Sequence, residues 1–566
     1  MKRISTVCGL MALGWLAGCG NDGTTISSVV PPTTSSATVE HLTRDGGGGD
    51  WVHTQNMGDT AADLFFIFTN TTETTVGGVP SVANMAGEAG NPAGTTPVNQ
   101  VVLSTSSMLQ QAYTAGLGLR GTPEISEFNS HPPKSSAAPL GQTLGEPAPP
   151  QMAAVGDTQN FYEDSIANPI ASTLRLQLND GTITVNMWVA NDSWSGCSKT
   201  YCMTDAMLAA IGPKFLLTGD SNDIYDWVTN LYGYPWGSHN YSNLIPESAK
   251  STIDILFYDI NADNSTTGGV LGFFYSKDNY STNAVAYSNA RLMFYMDSVL
   301  TATKEGDNWD ATDYWPAEMV ATLAHEFQHM IHYYKKQVGL GISTQTWLNE
   351  LMSMTTEDLV ADKILVNGPR GVTYSDYTAG SAGITDGRIP YFNDYPSISV
   401  TYWANDSSVL YRYAINYAFG AYLARNYGGA VLFKQIMAAS SGDETAVITG
   451  LSALGYTETF PELLQRFQTA VVLSSKTTAP LYYQFNTGAA VSSTINTVTY
   501  NLGSINFYNF STGPKTYTSA TLAANKSNLN PTSSVIILAE TSKTGTVKKT
   551  LNMAQGVKAT VVVKPN

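Results

Sequence analysis

The stretch Leu323-Ala324-His325-Glu326-Phe327-Gln328-His329-Met330-Ile331-His332-Tyr333-Tyr334 limits the possible folds most sharply, because its chemistry works only on a helix. Positions 325 and 329 are one α-helical turn apart, so their imidazoles project side by side. Two such nitrogens can reach one tetrahedral zinc at about 2.0–2.1 Å. Glu326 faces the same site without being spaced to share the ion. It is placed to take a proton from water that a metal acidifies toward pKa about 7. The flanks suit a helix. Pro316 fits a first turn, Glu318 favours the positive end, and Lys335 and Lys336 precede Gly339 at the other. Val320, Leu323, Phe327, Met330 and Ile331 supply apolar packing surface. The plain alternative is an amphipathic helix that happens to be rich in histidine.

A third ligand separates the two. His332 lies two turns beyond His325, about 10 Å along the axis, and is read as a rim or packing residue. No histidine follows it anywhere in the chain. That leaves a carboxylate on the next helix, and Trp347-Leu348-Asn349-Glu350-Leu351 offers Glu350. Glu350 lies 21 residues after His329, which allows one helix to end, turn at VGLGIST and return antiparallel. Ser343 or Thr344 can cap the returning helix. Leu348, Leu351 and Leu359 make it a packing helix, so a carboxylate among them needs a reason. The candidate metal ligands are therefore His325, His329 and Glu350, with Glu326 as the catalytic base.

HEFQHMIHY followed by WLNELMSMTTEDL resembles the gluzincin-type zincins, and more narrowly the hyicolysin-like neutral zinc metallopeptidases. The resemblance runs from about residue 157 to 475 and leaves the termini uncovered. It implies Zn²⁺ held by His325, His329 and Glu350, with Glu326 as general base. The expected fold class is α+β. A zincin-like domain, with a mixed sheet, the motif helix and a mainly helical second lobe, is flanked by β-rich N- and C-terminal regions. One departure stands out. Where thermolysin-like relatives carry an Asp that braces a zinc histidine, this chain has Met354. Glu357 and Asp358 on the same helix are the candidates for that brace. The oxyanion of peptide hydrolysis also needs a donor, and Tyr374, Tyr377, Arg388, Tyr391, Tyr402 and Tyr411 are open candidates.

The chain reads in segments. Residues 1–18 have Lys2 and Arg3, a short apolar run, and Leu16-Ala17-Gly18 ending at Cys19, like a bacterial lipoprotein signal. Cys19 would carry the lipid, giving a membrane anchor at the cell envelope or surface; an ordinary secretory signal is the alternative. Residues 19–50 read as a flexible tether, 51–120 as a β-rich N-terminal region, and 121–156 as a Pro-rich linker, extended arm or propeptide junction. The metallopeptidase domain is expected at 157–478. Its signals include a hairpin at Asn179-Asp180-Gly181, helices at CMTDAMLAAIGPKFL and IYDWVTNLYG, and strands at STIDILFYDI, VLGFFYSKDNY and ARLMFYMDS. SSVIILAE, TVKKTLNM and KATVVVKPN point to a β-domain at 479–566.

Charge narrows the partners. With 29 Lys and Arg against 45 Asp and Glu, the net charge is −16, which argues against nucleic acid and against anionic lipid surfaces. Cys197 and Cys202 suit a small disulfide loop in an oxidising compartment. Asp259-Ile260-Asn261-Ala262-Asp263-Asn264 alternates oxygen side chains as calcium loops do, but lacks their closing glutamate and reads as an acidic turn. The expected function is a zinc endopeptidase acting on extracellular protein or peptide. An aminopeptidase would need an acidic subsite for the substrate's amino group. A surface adhesin or binding lipoprotein with an inactive peptidase-like domain is the alternative from another class. Substrate preference and oligomeric state stay open.

Overall fold

A computed structural model describes residues 25–26, 37–42, 49–84, 118–133, 153–217, 222–404, 406, 408–510 and 513–566. The signal residues 1–18, Cys19, most of the tether and the run VNQVVLSTSS lie outside the described residues. No helix among the described residues is long and apolar enough to cross a membrane.

The central region is built on a six-stranded mixed sheet. Its order is Gly272–Phe273, Met293–Asp297, Thr252–Tyr258, Thr184–Ala190, Ile170–Asn179 and Thr158–Phe161. Three of the inner strands, Thr184–Ala190, Thr252–Tyr258 and Met293–Asp297, run parallel. They are buried along almost their whole length, which is why IDILFY and MFYM read as continuous apolar runs rather than alternations. The hairpin forms where Asn179-Asp180-Gly181 directed it. Asp180 Oδ1 accepts the Thr182 and Ile183 N–H groups, and Gly181 takes φ 94°.

VLGFFYSKDNY departs from its expected strand. Only Gly269–Val270 and Gly272–Phe273 are extended, and Ser276–Asn279 is a tight helical turn. The turn is fixed by a buried Lys277–Asp278 pair whose partners include the Tyr162 carbonyl and the Tyr295 hydroxyl. Such tertiary partners leave no local mark in the sequence.

The motif helix, Tyr314–His332, lies against this sheet, with Phe327 packed on Phe215 and Tyr225. Gly272 lets the edge strand come close: a Cβ there would sit 2.7 Å from the Tyr295 carbonyl and 3.0 Å from the Thr322 methyl. The helix does not stop at Gly339. It loosens into a π-helical turn over Tyr333–Leu340 and ends at Gly341, φ 68°. Lys336 is not a surface charge at that end. It is buried, and its ammonium donates to the Ile436, Ala439 and Ser441 carbonyls at 2.9, 2.6 and 3.0 Å. Those carbonyls surround the end of the helix Ala430–Ala438, where intrahelical partners run out.

The second helix, Thr346–Ile364, returns alongside the motif helix. Its cap position is Gln345 rather than Ser343 or Thr344. Thr344 is engaged elsewhere, by His332. Helix Val409–Asn426 packs on its other side at Gly420, where a Cβ would meet Thr355 Oγ1 at 2.2 Å.

The terminal segments, expected as separate β-regions at 51–120 and 479–566, contribute strands to the same sheets. Ala62–Asn70 sits between Ser534–Lys543 and Val557–Pro565, with Thr38–Leu42 at the edge. Thr546–Met553 sits between Gly49–Asn56 and Ser81–Asn84. Phe66 and Phe68 face one core, while Phe65 and Ile67 face Val472 and Leu473 of helix Phe460–Leu473. Burial on both faces explains the unbroken run Phe65-Phe66-Ile67-Phe68. Within the Pro-rich stretch 121–156, Pro123–Ser130 is helical.

Candidate metal centre

The helix spacing brings His325 and His329 together, and the antiparallel return delivers Glu350. Among the described residues these three form the group able to hold a metal ion, all three buried. His325 Nε2 lies 3.0 Å from His329 Nε2 and 3.2 Å from Glu350 Oε2, and His329 Nε2 lies 3.7 Å from Glu350 Oε2. Tetrahedral ligands at zinc distances stand about 3.3 Å apart. The trio therefore has the spacing of one coordination sphere, and its two imidazoles and carboxylate are a zinc donor set.

Each imidazole is oriented from behind. His325 Nδ1–H donates to Glu357 Oε1 at 2.7 Å, which leaves Nε2 facing the site. His329 Nδ1–H donates to the Ser353 hydroxyl at 3.1 Å, and that hydroxyl donates to Gln328 Oε1. Of the two candidates for the brace, Glu357 is the one that meets His325. Asp358 points elsewhere, pairing with Arg425 and accepting from the Tyr417 hydroxyl. Replacing Glu357 by glutamine should weaken metal affinity about 10–100-fold, as read by competition with a chelating dye; unchanged affinity would show that the contact does no positioning.

Glu326 has two different oxygens. Oε2 accepts the Phe274 N–H at 2.8 Å from the sheet edge, while Oε1 is buried without a protein partner. Burial raises its pKa, against the lowering charges of His325, His329 and Arg120. Burial would depress His325, but the bonds to Glu350 and Glu357 push it up to about 9 in the metal-free chain. Burial raises Glu350, and the His329 charge with both histidine contacts overrides this to about 2.

Three contributors had no signal in the sequence. Ser353 is a common residue three places beyond Glu350. Arg120 comes from the stretch expected as flanking β-structure, yet its buried guanidinium lies 3.5 Å from Glu357 and 3.8 Å from Glu318. Tyr413, rather than its helix neighbour Tyr411, turns inward, and its buried phenol is raised by burial and then by the charges of Glu350 and other neighbours. Of the other oxyanion candidates, Tyr377 bonds Asp362, Arg388 lies over the Tyr413 ring, Tyr391 packs on Tyr411, and Tyr402 is exposed beside Arg412.

His332 packs as expected, its Nε2 bonded to the Thr344 hydroxyl at 2.8 Å. Cys197 and Cys202 are joined as a disulfide. Their loop carries Lys199 and Thr200, which bond Asp259 and Asn264 at the end of strand Thr252–Tyr258. Asp259 and Asp263 also accept the Asn264 and Ser265 N–H groups, so the acidic turn is laced by its own backbone.

Residues 167–545 match the sequence profile of the family described as Peptidase M30. Over 302 residues the chain is 28% identical to the neutral metalloprotease ShpI of Staphylococcus hyicus. That match takes in 50% of this chain and 57% of that protein, so the chain spans little more than half of that relative's length. A crystal structure of an M1 zinc metallopeptidase from Deinococcus radiodurans overlaps 54% of this chain and 49% of its own, at 13% identity and a TM-score of 0.21.

Proposed function

The chain belongs to the Peptidase M30 family, and from that premise we propose that it is a zinc-dependent endopeptidase that cleaves extracellular proteins. The observation that carries this reading is the trio of ligand atoms beside a buried, unpartnered carboxylate oxygen of Glu326. Three protein ligands leave a fourth position for reactants, as catalytic zinc requires. Zinc, when bound there, supplies Lewis acidity that polarises the scissile carbonyl and acidifies water.

The chain's own residues do the rest. The Phe274 N–H fixes Glu326 Oε2, so Oε1 is the atom that takes the proton of the attacking water. Burial keeps this carboxyl a stronger base than a surface glutamate. The same oxygen is placed to return the proton to the departing amine. Tyr413 is our choice for the oxyanion donor. Its oxygen accepts the Arg120 N–H at 3.4 Å, which leaves its own proton to give. Leu16-Ala17-Gly18-Cys19 supports export with a lipid on Cys19, a reading that rests on sequence alone.

Casein cleavage by the full chain should stop when a chelator strips the metal and return when zinc is added. Cleavage that persists in fully metal-depleted protein overturns the proposal.

A further inference from the structure

Residues 118–133 precede the family match, which begins at 167, yet they line the cavity over Glu326, His329 and Glu350. Gly118–Leu119 pairs with Gly269–Val270, and the Leu119 carbonyl accepts the Leu271 N–H at 2.9 Å. The helix Pro123–Ser130 follows, opened by Thr122 Oγ1 accepting the Ile125 N–H. Ile125, Phe128 and Asn129 fall at helical spacing on the inner side. Ile125 is buried, and Phe128 stands edge-on to Tyr275 and Tyr280.

Asn129 is the most telling contact. Its Nδ2 donates to the Phe274 carbonyl at 2.7 Å, and its Oδ1 accepts the Ser276 N–H at 2.8 Å. A side-chain amide thereby fills the donor and acceptor positions that an added peptide chain would fill on this edge. One residue on, the Ser130 hydroxyl lies 3.0 Å from that of Thr346, at the start of the second helix. The Pro133 carbonyl accepts from the Tyr280 hydroxyl at 2.7 Å. The segment thus ties the sheet-side wall of the cleft to the helical wall. The space left over the metal ligands is about 40 Å³, far below the ~300 Å³ at which pockets begin to take small ligands.

We infer that residues 118–133 are an autoinhibitory strap. With it seated, the centre holds a metal and water but no peptide, and a substrate chain reaches His329 only after helix Pro123–Ser130 lifts from the edge at Phe274–Ser276. The inference rests on the peptidase reading. Apparent affinity for a peptide scales with the fraction of chains whose strap is open.

Two variants of the zinc-loaded full chain test it, each read by affinity for a peptide hydroxamate and by turnover of a quenched fluorescent peptide. Ser130→Cys with Thr346→Cys locks the strap by a disulfide. It should lower both readouts at least about tenfold, with recovery on reduction, while the unaltered chain under the same reductant sets the baseline and zinc content stays at one per chain. Phe128→Ala with Asn129→Ala loosens the strap and should raise both. A locked protein that binds the hydroxamate as tightly as its reduced form, or a loosened one that binds no better, overturns the strap. Strap-dependent hydroxamate affinity with no cleavage by any form instead overturns the peptidase reading and leaves the strap standing.

Discussion

Glu326→Gln should lower kcat for peptide hydrolysis by about 10²–10⁴-fold, the usual contribution of a positioned acid–base group. Zinc content and KM should stay close to those of the unaltered chain. The reason is the division of labour between the two oxygens. A glutamine keeps one oxygen to accept the Phe274 N–H, so the side chain stays anchored. What faces the site in place of Oε1 is then an amide nitrogen, which cannot take a proton. Glu326 is buried and is not part of the ligand trio, so the metal has no reason to leave. In energy the loss is about 2.7–5.4 kcal/mol of transition-state stabilisation. Zinc analysis and steady-state kinetics on the same sample decide it, and unchanged turnover would remove Glu326 from the mechanism.

Glu350→Ala should cost the metal itself. Structural zinc sites bind with about 10–16 kcal/mol from four ligands, so one ligand is worth about 3 kcal/mol, or about 150-fold in affinity. At free zinc 100 times the Kd, the unaltered chain gains about 2.7 kcal/mol of stability. The variant should gain only about 0.3 kcal/mol under the same conditions. Thermal unfolding with and without zinc shows the difference, and an equal zinc-induced shift in both proteins would exclude Glu350 as a ligand. Protons compete for the same atoms. His325 titrates at about 9 in the metal-free chain, so below that pH it is protonated and zinc must displace the proton. Zinc affinity should therefore fall about tenfold per pH unit from 9 toward 7. Titration calorimetry in buffers of different ionisation heat should register the released proton.

The legible part of the site is the part fixed by local geometry. His325, Glu326 and His329 could be placed because one helical turn separates the two histidines. Glu350 could be singled out because Leu348, Leu351 and Leu359 marked a packing helix in which a carboxylate needs a reason. The choice between Glu357 and Asp358 could not be made from sequence. Neighbours on a helix point about 100° apart, and only the packing of Val409–Asn426 decides which one meets His325. Arg120 and Ser353 were silent, since an arginine in a Gly-rich stretch and a helical serine carry no spacing signal.

The β-structure divides the same way. FFIF announced a strand, but not that Ala62–Asn70 would pair with Ser534–Lys543 and Val557–Pro565. Pairing across more than four hundred residues depends on the tertiary fold and leaves no periodic trace. The helix Pro123–Ser130 was hidden by the prolines around it, although Thr122 and Glu124 are an N-terminal signal in hindsight.

The most direct test is a zinc-edge anomalous difference map from crystals of the zinc-loaded chain. One peak should lie about 2.0–2.1 Å from His325 Nε2, His329 Nε2 and a Glu350 oxygen together. A peak elsewhere, or one that leaves any of the three beyond about 3 Å, would contradict a shared coordination sphere and the peptidase chemistry built on it.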